Sequence, residues 1–283
     1  METVLQGTGG ELKIRVGGNT VVIGEKINPT GRKKLAAALQ EGNLEYVVEL
    51  ATGQVAAGAD ILDVNVGVAG MDEVALLPEV VKMVASVVQV PLCIDTANPD
   101  ALAAALSVAP GRPLVNSVNG EEKSLQAVLP RVKERGAAVI GLALDENGIP
   151  ATAEGRLAVA AKIIERAAKL GIALEDVIID PLVLTVGADQ YAGETTLKTI
   201  RLLHQEYGIN INLGASNVSF GLPDRHTLNQ AFLALSIAEG ATCMITDPAK
   251  LTPIIRATDL LLGRDAYARR WVQYFRKHPP ESR

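Results

Sequence analysis

Eight short apolar runs recur along this chain, and each closes on a polar residue able to do chemistry. Amphipathic, Ala-rich stretches separate them. The first four are Val21–Ile27 with Glu25 and Asn28, Ile61–Val66 with Asp63 and Asn65, Leu92–Thr96 with Asp95, and Leu114–Asn119 with Asn116 and Asn119. The others are Ala138–Leu144 with Asp145, Val177–Leu182 with Asp180, Ile211–Ser216 with Asn217, and Thr242–Pro248 with Asp247. Strand-like and helix-like segments alternating eight times predict an α/β fold, the (β/α)8 TIM barrel. Active sites of such barrels lie at the C-terminal ends of the strands, so one rhythm predicts both the fold and the place of the site.

The 283 residues suit a single barrel domain over 1–283, since such barrels take about 250 residues. Residues 1–19 fall outside the rhythm as an N-terminal extension, and 264–283 form a C-terminal helical tail. Hydrophobic residues make up 48% but aromatics only 3%. The core is therefore built from Val, Ile, Leu and Ala, as parallel strands under a coat of helices require. A net charge of −5, with no basic stripe, argues against nucleic acid as a partner. No apolar run approaches the roughly 18 residues of a membrane span. Residues 1–10 show no basic stretch leading into an apolar one, which argues against a secretory leader. Cys93 and Cys243 sit inside strand-like runs, which suits a reducing, cytoplasmic setting rather than a disulfide framework.

Between the runs, helices are expected at about 43–57, 72–87, 99–108, 121–135, 154–170, 195–207, 225–239 and 251–262. Gly58, Gly136, Gly171, Gly208 and Gly240 mark their ends, where a left-handed C-cap is needed. Residues 28–32 form a turn into a short helix with Thr30 near its cap. Glu11–Val16 alternates between Gly-rich stretches and reads as a strand or hairpin that plugs the barrel bottom. Tyr267, Trp271, Tyr274 and Phe275 have helical spacing. They pack on the outer wall or form a subunit contact.

The strand endings are Asp and Asn, with almost no His, Lys or Ser. The three His do not pair with Cys at ligand spacing, so no metal site is expected. Neither a Gly-x-Ser-x-Gly elbow nor a Gly-x-Gly-x-x-Gly turn after a strand is present. A carboxylate accepts two parallel hydrogen bonds from a ring N–H and a neighbouring amino group, and an Asn both donates and accepts. Such a set fits a flat heterocycle with an alternating edge, as pterins and guanines have. Plainer roles stand beside this one. Asp63 or Asp60 fits a helix cap or salt bridge, Asn217 an Asx turn, and both Cys the core. Arg32, Lys33 and Lys34 fit a solvated helix face, with a hold on an anionic tail as the lesser reading.

Six segments in order resemble the pterin-binding methyltransferase family, of the methyltetrahydrofolate:corrinoid protein type. They are Val22-Ile-Gly-Glu-Lys-Ile-Asn28, Asp60-Ile-Leu-Asp-Val-Asn-Val-Gly67, Leu92-Cys-Ile-Asp-Thr96, Val115-Asn-Ser-Val-Asn119, Ile179-Asp-Pro-Leu182 and Gly214-Ala-Ser-Asn-Val-Ser219. The resemblance runs from about residue 20 to 262. It implies that Asp95, Asn116 and Asp180 hydrogen-bond a pterin ring and that Asn217, the catalytic residue, reaches N5, which carries the methyl group. Asn119, Glu25, Asp63, Asn65 and Arg225 are implied as further members of the pocket. Phe220 stands where some relatives carry a polar residue.

The implied reaction moves a methyl group between N5 of tetrahydrofolate (5-methyltetrahydrofolate when loaded) and the cobalt of a corrinoid, cobalamin or a relative, in either direction. A neutral tertiary amine would leave as an amide-like anion, so a hydrogen bond at N5 lowers the barrier. Asn217 cannot supply the proton but can orient and stabilise the N5–H form while water delivers it. No corrinoid site is visible in the chain, since Asp224-Arg-His-Thr-Leu-Asn229 is only a chance approach to Asp-x-His-x-x-Gly. The corrinoid therefore comes on a partner corrinoid protein. A homodimer is implied by resemblance alone. Two other readings remain. One is a dihydropteroate synthase-like enzyme, which needs cationic groups for a diphosphate where this chain has Ser216-Asn-Val-Ser219. The other is a non-catalytic folate-binding subunit.

Overall fold

The computed structural model describes residues 1–279. After a hairpin of β1 (Glu2–Gly7) and β2 (Gly10–Arg15), eight strands alternate with helices. The strands are β3 (Val21–Ile27), β4 (Ile61–Val64), β5 (Leu92–Asp95), β6 (Leu114–Asn119), β7 (Ala138–Leu142), β8 (Val177–Asp180), β9 (Asn212–Gly214) and β10 (Cys243–Thr246). They run parallel in the order β8-β7-β6-β5-β4-β3-β10-β9. A parallel bridge between Ile179 and Ile211 joins the two ends, so the sheet closes into the expected (β/α)8 barrel. Several strands stop short of their apolar runs, because the final residues of each run leave the ladder to build the rim.

The helices between and after them are α1 (Lys33–Gln40), α2 (Glu45–Ala56), α3 (Glu73–Val87), α4 (Pro99–Val108), α5 (Glu122–Arg135), α6 (Ala153–Lys169), α7 (Ala192–Tyr207), α8 (Arg225–Glu239) and α9 (Pro248–Leu261). The last helix before the tail starts three residues earlier than expected, because Pro248 takes its first turn, where the missing N–H costs nothing. Thr30 is not the cap of α1. Arg32 holds that place without a side-chain cap, and the N–H of Thr30 donates to Asn28 Oδ1 at 3.0 Å. Asp63 caps no helix either: Asp72 caps α3 by accepting from Val74 and Ala75.

Two apolar layers follow from strand alternation. Outward residues such as Val22, Leu62, Ile94 and Val115 pack under the helices. Inward residues Val21, Ile23, Ile61, Cys93, Leu114, Ala138, Ile140, Ile178 and Cys243 fill the barrel, together with Leu5 and Ile14 of the hairpin. The hairpin thus plugs the N-terminal end. Asn210 pins it there, donating to Thr3 Oγ1 at 2.8 Å and to the Ile14 carbonyl at 3.0 Å.

The tail forms α10 (Arg269–Lys277), and its expected last four residues, 280–283, lie outside the described residues. Its packing on the outer wall is held by Asp60, which takes both Arg270 and the buried Arg256 at 3.2 and 3.1 Å. Phe275 packs against Trp271 in a tilted pair and against Tyr274 edge to face, at centroid distances of 4.6 and 5.2 Å, whereas Tyr267 is 98% exposed.

Candidate functional site

In five of the strands the inward set continues upward past the apolar layers into polar residues. Stepping by two from Val21 and Ile23 reaches Glu25; from Ile61, Asp63; from Cys93, Asp95; from Leu114, Asn116; and from Ile178, Asp180. Side chains two apart share a face, so five endings point into the barrel mouth. The plug closes the opposite end, which leaves this mouth as the open one.

Asp63, Asn65, Asp95 and Asn116 form a connected group. Asn116 Nδ2 donates to Asp63 Oδ1 at 3.1 Å, and Asn65 Nδ2 donates to Asp95 Oδ2 at 3.0 Å. Burial pushes the carboxyl of Asp63 well above its usual range, and the adjacent Asp95 adds to the shift. Asp95 is pushed up to about 6, again by burial, against the opposing hydrogen bonds of Asn65 and Asp63. Two acids this close favour one shared proton over two charges. The pair thus offers both an acceptor and a donor to a ring edge. Asn65 is itself anchored, its Oδ1 accepting from the Gly67 N–H at 2.8 Å.

Asp180 is 5% exposed. Burial pushes its carboxyl up to about 6, although the Leu182 N–H, Asn212 and the Gly214 N–H hold it down. The Leu182 N–H and Asn212 Nδ2 each donate to it at 2.8 Å. Leu182 carries a positive φ of 64°. That turn is tied down by Arg156, which donates to the carbonyls of Pro150, Pro181 and Leu182 from within the core.

Asn217 lies on a 3-10 turn, Ala215–Ser219, just after β9. It is exposed, unlike Val218 and Ser219 beside it. Its amide nitrogen lies 3.3 Å from where a Cβ on Gly214 would stand. Asn217 and Asp180 therefore flank the same glycine. Arg225 braces the turn, its guanidinium donating to the Ser216 carbonyl at 2.8 Å and to Ser219 Oγ at 3.1 Å. Ser219 Oγ in turn donates to the buried Asn229 at 2.7 Å. Arg225 also stands 5.7 Å from the ring of Phe220, which is 67% exposed at the rim.

Glu25 is half-buried and paired with Arg32 at 3.6 Å; burial raises its carboxyl. Asn119 is partly engaged locally, Oδ1 accepting from the Glu121 N–H at 2.9 Å. With Asp95, Asn116 and Leu142 it lines a cavity of about 410 Å³. Asn212 was missed by the sequence reading. It is fully buried at the level of Asp180, and its Oδ1 has no partner among the described residues. Counting inward positions by two from Asn210 would have found it, but it is hidden inside an apolar run instead of ending one. Among the described residues, no His, Cys, Asp or Glu cluster could hold a metal ion, and no helix is long and apolar enough to cross a membrane.

The sequence profile of pterin binding enzymes matches residues 24–247. The methylcorrinoid:tetrahydrofolate methyltransferase of Eubacterium limosum is 32% identical over 265 residues, covering 91% of this chain and 96% of that protein. Methionine synthase of Mycobacterium tuberculosis is 30% identical over 251 residues, covering 84% of this chain and 21% of that protein. Among solved structures, dihydropteroate synthase of Yersinia pestis superposes with a TM-score of 0.71 at 18% identity, over 93% of this chain and 100% of that one. The Vibrio fischeri enzyme gives 0.70 at 18%, over 93% and 99%. At this identity the solved structures speak for the barrel alone.

Proposed function

Because this chain belongs to the pterin binding enzyme family, we propose that it is a methyltransferase working between tetrahydrofolate and a corrinoid carried on a partner protein. The observation that carries this reading is the inward ring of Asp63, Asp95, Asn116 and Asp180, with Asn217 braced beside it. The likeness to a methylcorrinoid:tetrahydrofolate methyltransferase over nearly its whole length supports it and favours transfer onto folate.

In that direction N5 forms a bond to the methyl carbon as the carbon–cobalt bond breaks. The electron pair stays on cobalt, and the N5 proton passes to water. The reverse direction runs through the same transition state, with a proton arriving at N5. Asp95 and Asp180 accept from the ring's N–H and amino groups, and Asn116 spans a donor and an acceptor. Asn217 holds its amide at N5, where charge changes most. Arg225 acts through the backbone of the 216–219 turn, and Asn212 through Asp180. The corrinoid protein meets the open mouth transiently. A cytoplasmic setting, resting on two buried free thiols, and a homodimer belong to the same proposal.

Mixing the protein with methylcobalamin and tetrahydrofolate, or with cob(I)alamin and 5-methyltetrahydrofolate, tests this through the visible spectrum of the corrinoid. Transfer in at least one direction is expected. Folate binding with no transfer either way would leave a mere folate-binding subunit, and p-aminobenzoate incorporation would mark a dihydropteroate synthase.

Folate affinity should also depend on pH. Burial pushes the carboxyls of Asp95 and Asp180 up to about 6, and only the ionised carboxylate accepts two parallel hydrogen bonds. Affinity is therefore expected to hold above about pH 6 and to weaken as pH falls through it. Calorimetry giving one dissociation constant from pH 5 to 8 would contradict the assignment.

A further inference from the structure

Beside the mouth, between the end of β3, α1, α2 and the start of α9, lies a groove of about 580 Å³ that the reaction above does not use. Lys26, Arg32, Lys33 and Lys34 line it, against the acids Glu49 and Asp247. Lys33 and Lys34 are exposed, and Lys34 is steadied over the Tyr46 ring at 4.0 Å. Lys26 is held by Asp247 Oδ2 at 2.5 Å.

The floor carries two orphaned polar atoms. Gln54 is 4% exposed, and its Oε1 accepts from the Lys26 N–H at 2.7 Å. Its Nε2, a donor, has no partner among the described residues, and neither has Asp247 Oδ1, an acceptor. Buried amide groups are normally satisfied. An orphaned donor and acceptor under a cationic rim call for a ligand bearing carboxylates and amide N–H groups together. A neutral ring edge offers no charge to the lysines, and a simple anion offers nothing to Asp247.

We propose that this groove seats the γ-glutamyl end of the folate tail, so that the chain favours folates with several glutamates. The proposal rests on the folate reading. Its geometry suits the tail, because Glu25 connects the two places. Glu25 points into the mouth, and its charge is felt by Asp63 within it; on the other side Glu25 pairs with Arg32 of the groove. A pterin in the mouth therefore has the groove beside it, and each added glutamate brings one more carboxylate and one more amide to the lysines and Gln54.

The test compares a tailless tetrahydropterin, monoglutamyl tetrahydrofolate and pentaglutamyl tetrahydrofolate by calorimetry. The proteins are the native chain, the Lys33→Glu/Lys34→Glu double variant, and Gln54→Glu. The last keeps the acceptor for the Lys26 N–H and replaces the orphaned donor by a carboxylate oxygen; thermal melts verify folding. At low salt the pentaglutamyl form is expected to bind the native protein roughly fivefold tighter than the monoglutamyl form, the scale of a few exposed ion pairs. That ratio should fall toward one in both variants and at high salt. A native ratio near one, or a ratio surviving both variants, overturns the proposal and leaves the groove to another partner, such as an acidic protein segment. Failure of even the tailless ring to bind the native protein overturns the folate reading, and this proposal with it.

Discussion

Methyl transfer about a hundredfold slower at saturating folate is the expected result for Asn217→Ala, the scale set by removing one preorganised hydrogen bond at a centre of changing charge. The residue is exposed on its turn, and the turn is held by Arg225 and Ser219 through the backbone and Asn229. Alanine thus removes the amide without releasing the loop. Folate affinity should change by only a few-fold, because the ring is held from Asp95, Asn116 and Asp180. A purely structural Asn217 would shift the melting temperature and spare the rate, so the split between the two readouts is decisive. Single-turnover kinetics showing a native rate would remove the catalytic role.

For Asp180→Asn the loss falls on binding. An amide offers a single acceptor oxygen, whereas the Leu182 N–H and Asn212 now hold one carboxylate oxygen each. The ring's donors then face an N–H2, and affinity should drop by about 2–3 kcal/mol, roughly thirty- to a hundred-and-fifty-fold. The free protein should respond in the opposite sense. Asp180 is 5% exposed and its carboxyl is raised to about 6 from 3.8. Between those pH values the folded state binds more protons than the unfolded state, so stability falls as pH rises through that window. By pH 7 the full penalty stands, about 3 kcal/mol in scale. The neutral amide avoids it. At pH 7 the variant should therefore melt no lower than the native chain while binding folate far worse. A lower melting temperature would make Asp180 a structural residue.

Much of the fold was legible in the primary structure because apolar rhythm is local. The eight runs and the glycine-ended helices appeared close to where periodicity placed them, and Glu11–Val16 marked β2 but not its partner β1. The early start of α9 and the cap at Asp72 were less visible, since boundaries depend on one or two residues. Asp63, Asp95, Asn116 and Asp180 stood out as polar breaks in apolar runs. Arg225 stood out only by resemblance, and its grip on the Asn217 turn came from the structure. Asn212 escaped because an amide inside a β-strand looks like any other strand residue until its face is known.

The chain's own order of residues was enough to determine the eightfold barrel, the closed bottom and the identity of the polar set at the open end. Those features follow from period-two and period-3.6 patterns, which are properties of neighbours along the chain. Tertiary structure alone decided which acids meet, which amide supports Asp180, and that Lys26, Arg32, Gln54 and Asp247 form a groove beside the mouth. The physical reason is that electrostatic shifts and unsatisfied hydrogen bonds arise from distances through space, between residues that the sequence holds far apart.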